Sequence, residues 1–152
     1  MGEASRRDAE ARRLFFLKGF GLLSWMEVNE ITGKVVDCAV KIHQQLGPGL
    51  LESVYQRILV YGLRKAGLKV ETEVQVPVKW DGHVIDEGFR ADVLVEGKVL
   101  LELKALEKTE RVHRRQTLTY LKLLDLKVGL LINFGAALVK DDLHRLVNGL
   151  KE

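Results

Sequence analysis

Cysteine and long hydrophobic runs are both scarce in this sequence. Cys38 is the only cysteine among 152 residues, so no disulfide can form within the chain and nothing requires an oxidising compartment. No apolar run is long enough to span a bilayer. We therefore expect a cytoplasmic protein that has no membrane partner.

The sequence also lacks a strong excess of charge of either sign. Lysine and arginine number 24 and aspartate and glutamate 21, which gives a net charge of +3. This excess permits a nucleic-acid partner but does not by itself establish one. The content of 47% hydrophobic and 30% charged residues is typical of a folded chain, and the length suits one domain with one core.

The first 25 residues differ from the rest of the chain. The apolar stretch Leu14–Trp25 follows several arginines and superficially resembles a signal peptide, but Lys18 interrupts it and no small-residue cleavage site follows. We interpret residues 1–25 as a mobile extension or the product of a mis-assigned start, and residues 26–152 as the domain. A membrane-surface helix is the less favoured alternative, because the periodicity is weak and two glycines interrupt it.

Four segments have helical patterns. Apolar residues recur every three or four positions over residues 28–46, and a second helix is predicted over Leu50–Ala66 after a Gly-Pro-Gly stop. A third is predicted over Glu110–Leu124, and Asp141–Val147 is interpreted as a last short helix. The inward face of the third helix should carry Val112, Leu118, Leu121 and Leu124.

Period-two alternation begins after the second helix. Val70–Trp80 alternates between apolar and polar residues and predicts one strand with one buried face. Pro77 indicates an edge position or a bulge, because proline cannot donate to the ladder. Asp81-Gly82 is typical of a hairpin turn.

Three further stretches predict strands. Val84–Val95 should be broken near Glu87-Gly88, and a tight turn at Glu96–Lys98 should lead into the almost wholly apolar Val99–Ala105. Lys127–Phe134 is a short apolar strand. The order α, α, three antiparallel-leaning strands, α, β, α predicts an α/β layered domain with a mixed sheet.

Two charges interrupt the buried third strand. Glu102 and Lys104 lie two residues apart and share a face, and burying them unpaired would be costly. The turn near Gly97 should bring Asp92 opposite Glu102, and two facing carboxylates repel unless a cation lies between them. Hard oxygen ligands favour Mg²⁺ over zinc. A structural ion pair with Lys104 is the alternative.

The Asp-x9-Glu-x-Lys spacing is weak as a pattern, because the chain contains it twice. Asp86, Glu96 and Lys98 also match, but they lie around a turn where solvated charges cost little. We therefore set this second copy aside.

Further polar residues lie where a site would need them. Glu52 is in the first turn of the second helix, where an acidic residue also suits the helix dipole. Gln116 and Tyr120 are four residues apart on the third helix and share a face. On its own, Glu52 fits either interpretation, whereas Gln116 and Tyr120 alone are better explained as ordinary surface or interface residues. Basic residues add positive charge to this helix, as expected for phosphate contacts or a solvated face: Arg111, Arg114, Arg115 and Lys122.

Four segments together resemble a known family. Gly49–Tyr55 (GLLESVY) fits the name-giving motif of the GxxExxY protein family, and Phe89–Asp92, Glu102–Lys104 and Leu130–Gly135 are similar to its other blocks. The resemblance covers about residues 28–148. That family in turn resembles the PD-(D/E)XK nuclease superfamily. The implied fold is a restriction-endonuclease-like αβββαβ core, with a mixed sheet flanked by helices and an extra N-terminal helix.

The resemblance also implies roles for individual residues. Asp92 would be the metal-binding aspartate, Glu102 the second acidic ligand and Lys104 the motif lysine. Gln116 and Tyr120 are similar to a Gln-x-x-x-Tyr element of helicase-linked and phage-type exonucleases. The implied catalytic set is Glu52, Asp92, Glu102, Lys104, Gln116 and Tyr120, with Mg²⁺, or Mn²⁺ in its place, held by Asp92, Glu102, the carbonyl of Leu103 and Glu52. Ala91 stands where the motif has proline, a position that contributes no ligand.

The function implied is hydrolysis of phosphodiester bonds in nucleic acid, with DNA as the expected substrate. A compact chain without an evident base-reading module indicates weak sequence specificity. One alternative is a catalytically silent nuclease fold that binds nucleic acid or a protein partner. Another is an interaction protein in which Asp92, Glu102 and Lys104 form a buried ion network. The sequence leaves the oligomeric state open, a homodimer included.

Overall fold

The helical stripe predicted for residues 28–46 forms the longest helix of the structure. This computed structural model describes the backbone of residues 22–149 and the side chains of residues 27–149, so the predictions about residues 1–21 lie outside the described part. Helix α1 (Leu22–Leu46) begins four residues before the predicted domain start at Met26, a boundary that stays a prediction. Its buried stripe is Val28, Ile31, Val35, Ala39 and Ile42.

Helix α2 (Glu52–Lys65) is fixed at its start by one aromatic side chain. Tyr55 is fully buried, and its ring stacks on that of Phe134 with centroids 4.6 Å apart. Its hydroxyl donates to the carbonyl of Gly47 and accepts from the amide of Leu50 at 3.2 Å. Tyr55 therefore ties the loop between the helices to the turn that carries Glu52.

Five strands form one mixed sheet, in the order β1 (Val70–Gln75), β4 (Arg90–Val95), β5 (Val99–Lys104), β6 (Val128–Asn133) and β7 (Leu143–Val147). All neighbours are antiparallel except β5 and β6, which α3 (Arg111–Leu123) connects in parallel. A separate hairpin of β2 (Val78–Trp80) and β3 (His83–Ile85) connects β1 to β4. The predicted core order αβββαβ is confirmed from α2 to β6.

Alternation along β5 decides which face of the sheet carries the charges. Leu101 and Leu103 pack in the core cluster that includes α1 and α2, whereas Leu100 packs with Leu121 of α3. Glu102 shares the face of Leu100, because alternate residues of a strand point the same way. The predicted site therefore lies on the α3 side of the sheet.

The prediction of a last helix over Asp141–Val147 is wrong. A short 3₁₀ turn, Val139–Asp142, is followed by β7, which pairs with the fully buried β6. The edge of a buried strand needs backbone partners, and this requirement outweighs the weak helical pattern of the segment.

Two smaller predictions also need correction. The strand predicted over Val70–Trp80 stops at Gln75, and Pro77, which has no N–H to donate, separates β1 from β2. Val112 was expected to face inward but is 62% exposed, because the inward face of α3 starts one turn later. Within residues 22–149, no helix has the length and apolar character needed to cross a bilayer.

Candidate active site

Both backbone ladders that flank Asp92 are interrupted at this residue. Pairing between β1 and β4 skips Glu73, which lies opposite Asp92, and pairing between β4 and β5 stops at Val93 and Leu101. The register centred on Gly97 places Asp92 opposite Glu102, as the turn predicts. The hydrogen-bonding groups of the backbone are therefore left free for side chains at this point.

The two carboxylates fill the gap between β4 and β5. The amide of Asp92 donates to Oε1 of Glu102 at 3.1 Å. The amide of Leu103 donates to Oδ2 of Asp92 at 2.8 Å. Each carboxylate is thus held by the backbone of the other strand, which fixes both acidic groups without any neutralising side chain.

Burial makes these carboxylates hard to ionise. Burial and the neighbouring charge of Asp92 raise the pKa of Glu102 to about 8, and Glu102 is 3% exposed. Burial is also the main reason that the pKa of Asp92 rises to about 6, with a further contribution from Glu52. Among the described residues, neither carboxylate forms an ion pair with Lys104. The ion-pair alternative therefore lacks the contact that it requires.

Lys104 and Glu52 lie close enough to influence the carboxylates without touching them. Lys104 ends β5 on the face of Glu102, and its charge lowers the pKa of both Asp92 and Glu102. Glu52 is the first residue of α2, and its charge raises the pKa of both. The helix start and the strand end thus converge on the same pair.

Helix α3 brings the remaining predicted residues to the site. The amide nitrogen of Gln116 donates to the hydroxyl of Tyr120 at 3.1 Å. Tyr120 is 6% exposed, and its pKa is raised by burial and by the charge of Glu102. The ring of Phe89, next to β4, lies 6.4 Å from that of Tyr120. All six predicted catalytic residues therefore lie around one region, and their roles stay predictions.

Two further residues of the site were not predicted. Nε2 of Gln56 donates to the carbonyl of Asp92 at 3.2 Å and to Oε1 of Glu73 at 3.0 Å. Glu73 has a φ of 51°, which turns β1 away from regular pairing at this point. Gln56 lies four residues after Glu52 on the same side of α2, and this spacing was the available signal.

A buried amide supports the loop that leaves the site. Oδ1 of Asn133 accepts from the amides of Leu106 and Gly135, and its Nδ2 donates to the carbonyl of Leu106 and to Asp142. Although burial opposes ionisation of Asp142, hydrogen bonds from Thr109 and Asn133 hold its pKa well below the usual range. This network fixes the segment that connects Lys104 to α3.

We expect Gly135→Ala to destabilise the fold by about 3 kcal/mol, because an added methyl group would overlap backbone. A Cβ at Gly135 would lie 2.1 Å from the carbonyl oxygen of Leu106. Gly33→Ala is the matched control: its Cβ meets nothing within 4 Å in helix α1, and alanine favours a helix by roughly 1 kcal/mol. Urea unfolding checks both; equal midpoints for Gly135→Ala and the wild type would contradict the prediction.

The donor set at the gap fits a hard divalent cation. Asp92 and Glu102 offer carboxylate oxygens at one place, as Mg²⁺ requires, while water and substrate phosphate usually complete its coordination. Within residues 27–149, no three aspartate, glutamate, histidine or cysteine side chains form a ready-made metal cage.

Two comparisons with known proteins give matches. A sequence model described as the PD-(D/E)XK nuclease superfamily matches residues 29–146, a range that includes every predicted site residue. A solved structure, SSO0001, is 21% identical, with a TM-score of 0.48, over 66% of this chain and 52% of its own. The chain therefore spans about half the length of SSO0001. No curated protein matches the sequence.

The match confirms the superfamily and the fold class that the sequence motifs imply, while the GxxExxY assignment stays a prediction. This membership indicates a nuclease-like protein. The metal and the substrate are subjects of the proposal below. The family model matches most of the chain, and the core order of the superfamily agrees with the observed sheet. The chain therefore belongs to the PD-(D/E)XK nuclease superfamily.

Proposed function

We propose that this protein is a Mg²⁺-dependent nuclease that hydrolyses phosphodiester bonds in DNA with little sequence specificity. The observation that carries the proposal is the interlocked pair of buried carboxylates at the ladder gap. Asp92 and Glu102 are held side by side by backbone amides, and both pKa values are raised. A bound cation relieves this cost, because it stabilises the ionised forms.

The proposed ligands are the side chains of Asp92 and Glu102 and the backbone carbonyl of Leu103. Glu52, at the start of α2, would contribute through a water molecule or position a second ion. A bound Mg²⁺ lowers the pKa of a coordinated water and offsets the negative charge that develops on phosphate. Mn²⁺ shares this preference for oxygen ligands and should substitute.

The other residues act on water and phosphate. Lys104 shares a face with Glu102, from which its ammonium group orients the attacking water or stabilises the charge of the transition state. Gln116 and Tyr120 form a hydrogen-bonded pair on α3, and they position the scissile phosphate. Arginines on the same helix supply sequence-independent attraction to the backbone of DNA, which accounts for the weak specificity proposed.

Cleavage assays with and without metal test this proposal. Purified protein should degrade linear DNA in Mg²⁺ or Mn²⁺ and lose this activity in EDTA, with single-stranded, double-stranded and RNA substrates run in parallel. Asp92→Ala and Glu102→Ala should abolish cleavage. Asp86→Asn is the matched control, since Asp86 belongs to the second copy of the motif and is exposed.

Three outcomes would reject the proposal. Cleavage that persists in EDTA would exclude the metal, and cleavage that persists in Asp92→Ala would exclude the site. Binding of DNA without cleavage of any substrate would instead favour the catalytically silent alternative. Calorimetric titration with Mg²⁺ distinguishes a silent module from an active enzyme, because a silent module does not need to bind a cation at Asp92.

A further inference from the structure

An open pocket lies between α2 and the edge strand β1, beside the candidate active site. We propose that it binds one nucleotide of the DNA strand, with the phosphates on either side of that nucleotide on Arg57 and Arg64 and the base against Tyr61. This inference rests on the proposed function, since it assigns the path of the substrate next to the scissile bond.

The composition of the pocket suits a nucleotide. Its volume is about 360 Å³, and the residues that line it are Gln56, Arg57, Val60, Tyr61, Arg64 and Thr72. Two guanidinium groups and no carboxylate are among the lining side chains. Arginine is the residue that best matches phosphate, because its planar fork of N–H groups can make two parallel hydrogen bonds. The pocket is therefore complementary to an anion.

Helix geometry places the two arginines on one face. Arg57 and Arg64 are seven residues apart, which is two turns and roughly 10 Å along the axis. Arg64 is held in place, because its Nη2 donates to the carbonyl of Val70 at 2.8 Å. Its other N–H groups remain available for a ligand, since guanidinium has five. This hydrogen bond restrains the side chain next to the pocket.

Tyr61 lies between the arginines and exposes an aromatic surface. It is 67% exposed and follows Arg57 by one helical turn. Aromatic side chains next to positive charge are typical of single-strand binding surfaces, because every base can stack on a ring. Tyr61 therefore offers base contacts without selecting a sequence, in agreement with the weak specificity proposed above.

The pocket is continuous with the candidate active site through Gln56. This residue lines the pocket and also donates to the carbonyl of Asp92 at 3.2 Å. Glu52, at the site, lies one turn before it on α2. Gln56 also holds the carboxylate of Glu73 on β1, since its Nε2 donates to Oε1 of that residue at 3.0 Å. A strand that leaves the scissile position can thus follow α2 from Glu52 towards Arg64.

Binding to a short fluorescein-labelled single-stranded oligodeoxynucleotide tests the pocket in EDTA, where no cleavage occurs. Arg57→Gln should weaken binding about fivefold to tenfold and reduce the salt dependence by about one phosphate contact. Tyr61→Ala should weaken binding roughly tenfold and leave the salt dependence unchanged, whereas Tyr61→Phe should bind with the affinity of the wild type. Lys65→Gln is the matched control, with the same loss of charge on the same helix outside the pocket.

Turnover measurements separate this inference from the proposed function. If the wild type cleaves DNA, Arg57→Gln should raise KM and leave kcat nearly unchanged, and a fall in kcat alone would overturn the inference. Affinities of Arg57→Gln and Tyr61→Ala equal to that of Lys65→Gln would also overturn it, even in an active enzyme. In a competition experiment, inorganic phosphate should displace the oligonucleotide from the wild type more readily than from Arg57→Gln. Equal displacement from both proteins would show that the anion site lies elsewhere. Pocket-dependent binding without cleavage would reject only the proposed function.

Discussion

Replacing Lys104 by methionine should lower the rate of DNA cleavage by about 10³-fold at saturating substrate and leave metal binding intact. The reason is that Lys104 forms no ion pair with Asp92 or Glu102, so it holds neither carboxylate in place. In the proposed mechanism its charge is needed only when the reaction develops negative charge or requires an oriented water. Single-turnover cleavage and calorimetric titration with Mn²⁺ measure the two effects separately.

Lys98→Met is the matched control, because Lys98 occupies the equivalent position in the second copy of the motif and lies in an exposed contact with Glu27. It should cleave at the rate of the wild type. Retention of more than a small fraction of the activity in Lys104→Met would remove the lysine from the mechanism. Loss of metal binding together with loss of the folded state would indicate a structural role instead.

Metal-free protein should lose stability as the pH rises from about 5 to 9, and Glu102→Gln should lose much less. The pKa of Glu102 in the folded chain, about 8, lies above its ordinary value of 4.5. A raised carboxyl pKa favours folding while the group is protonated in both states, and this advantage disappears as pH passes from the unfolded to the folded pKa. A tenfold difference in proton affinity between the folded and unfolded states corresponds to about 1.4 kcal/mol. At pH 9 the free energy of unfolding of Glu102→Gln should therefore exceed that of the wild type by a few kcal/mol.

Urea unfolding in EDTA across this pH range provides the measurement. Near pH 4 the difference between wild type and Glu102→Gln should be small, because both carry a neutral group there. Added Mg²⁺ should restore much of the lost stability of the wild type at pH 9 and do little for the variant. Glu71→Gln, an exposed residue of β1, is the control and should behave as the wild type. A wild type whose stability is flat with pH would contradict the prediction.

The sequence predicts the central pair because its position depends on local rules. A tight turn at Gly97 sets the register, and the register places Asp92 opposite Glu102. Gln116 and Tyr120 follow from helical spacing in the same way. These are relations between residues close in the chain, where periodicity is informative.

The residues that the sequence does not predict depend on contacts between distant segments. Gln56 reaches Asp92 across 36 positions. Its spacing from Glu52 places it on the same side of α2 but does not reveal that contact. The strand β7 forms because β6 offers an unpaired edge, which the pattern of Asp141–Val147 does not reveal. Long-range packing decides such cases, and a single sequence gives little information about it.

The interrupted ladder at Asp92 limits how this chemistry could be transferred to another protein. In a regular antiparallel hairpin, amides in the positions of Asp92 and Leu103 can already be bonded to carbonyls of the neighbouring strand. Two carboxylates grafted onto such a hairpin would find no donors to orient them and would repel each other. A designer would therefore have to copy the irregular backbone together with its acidic residues, because the irregularity provides the amides that hold them.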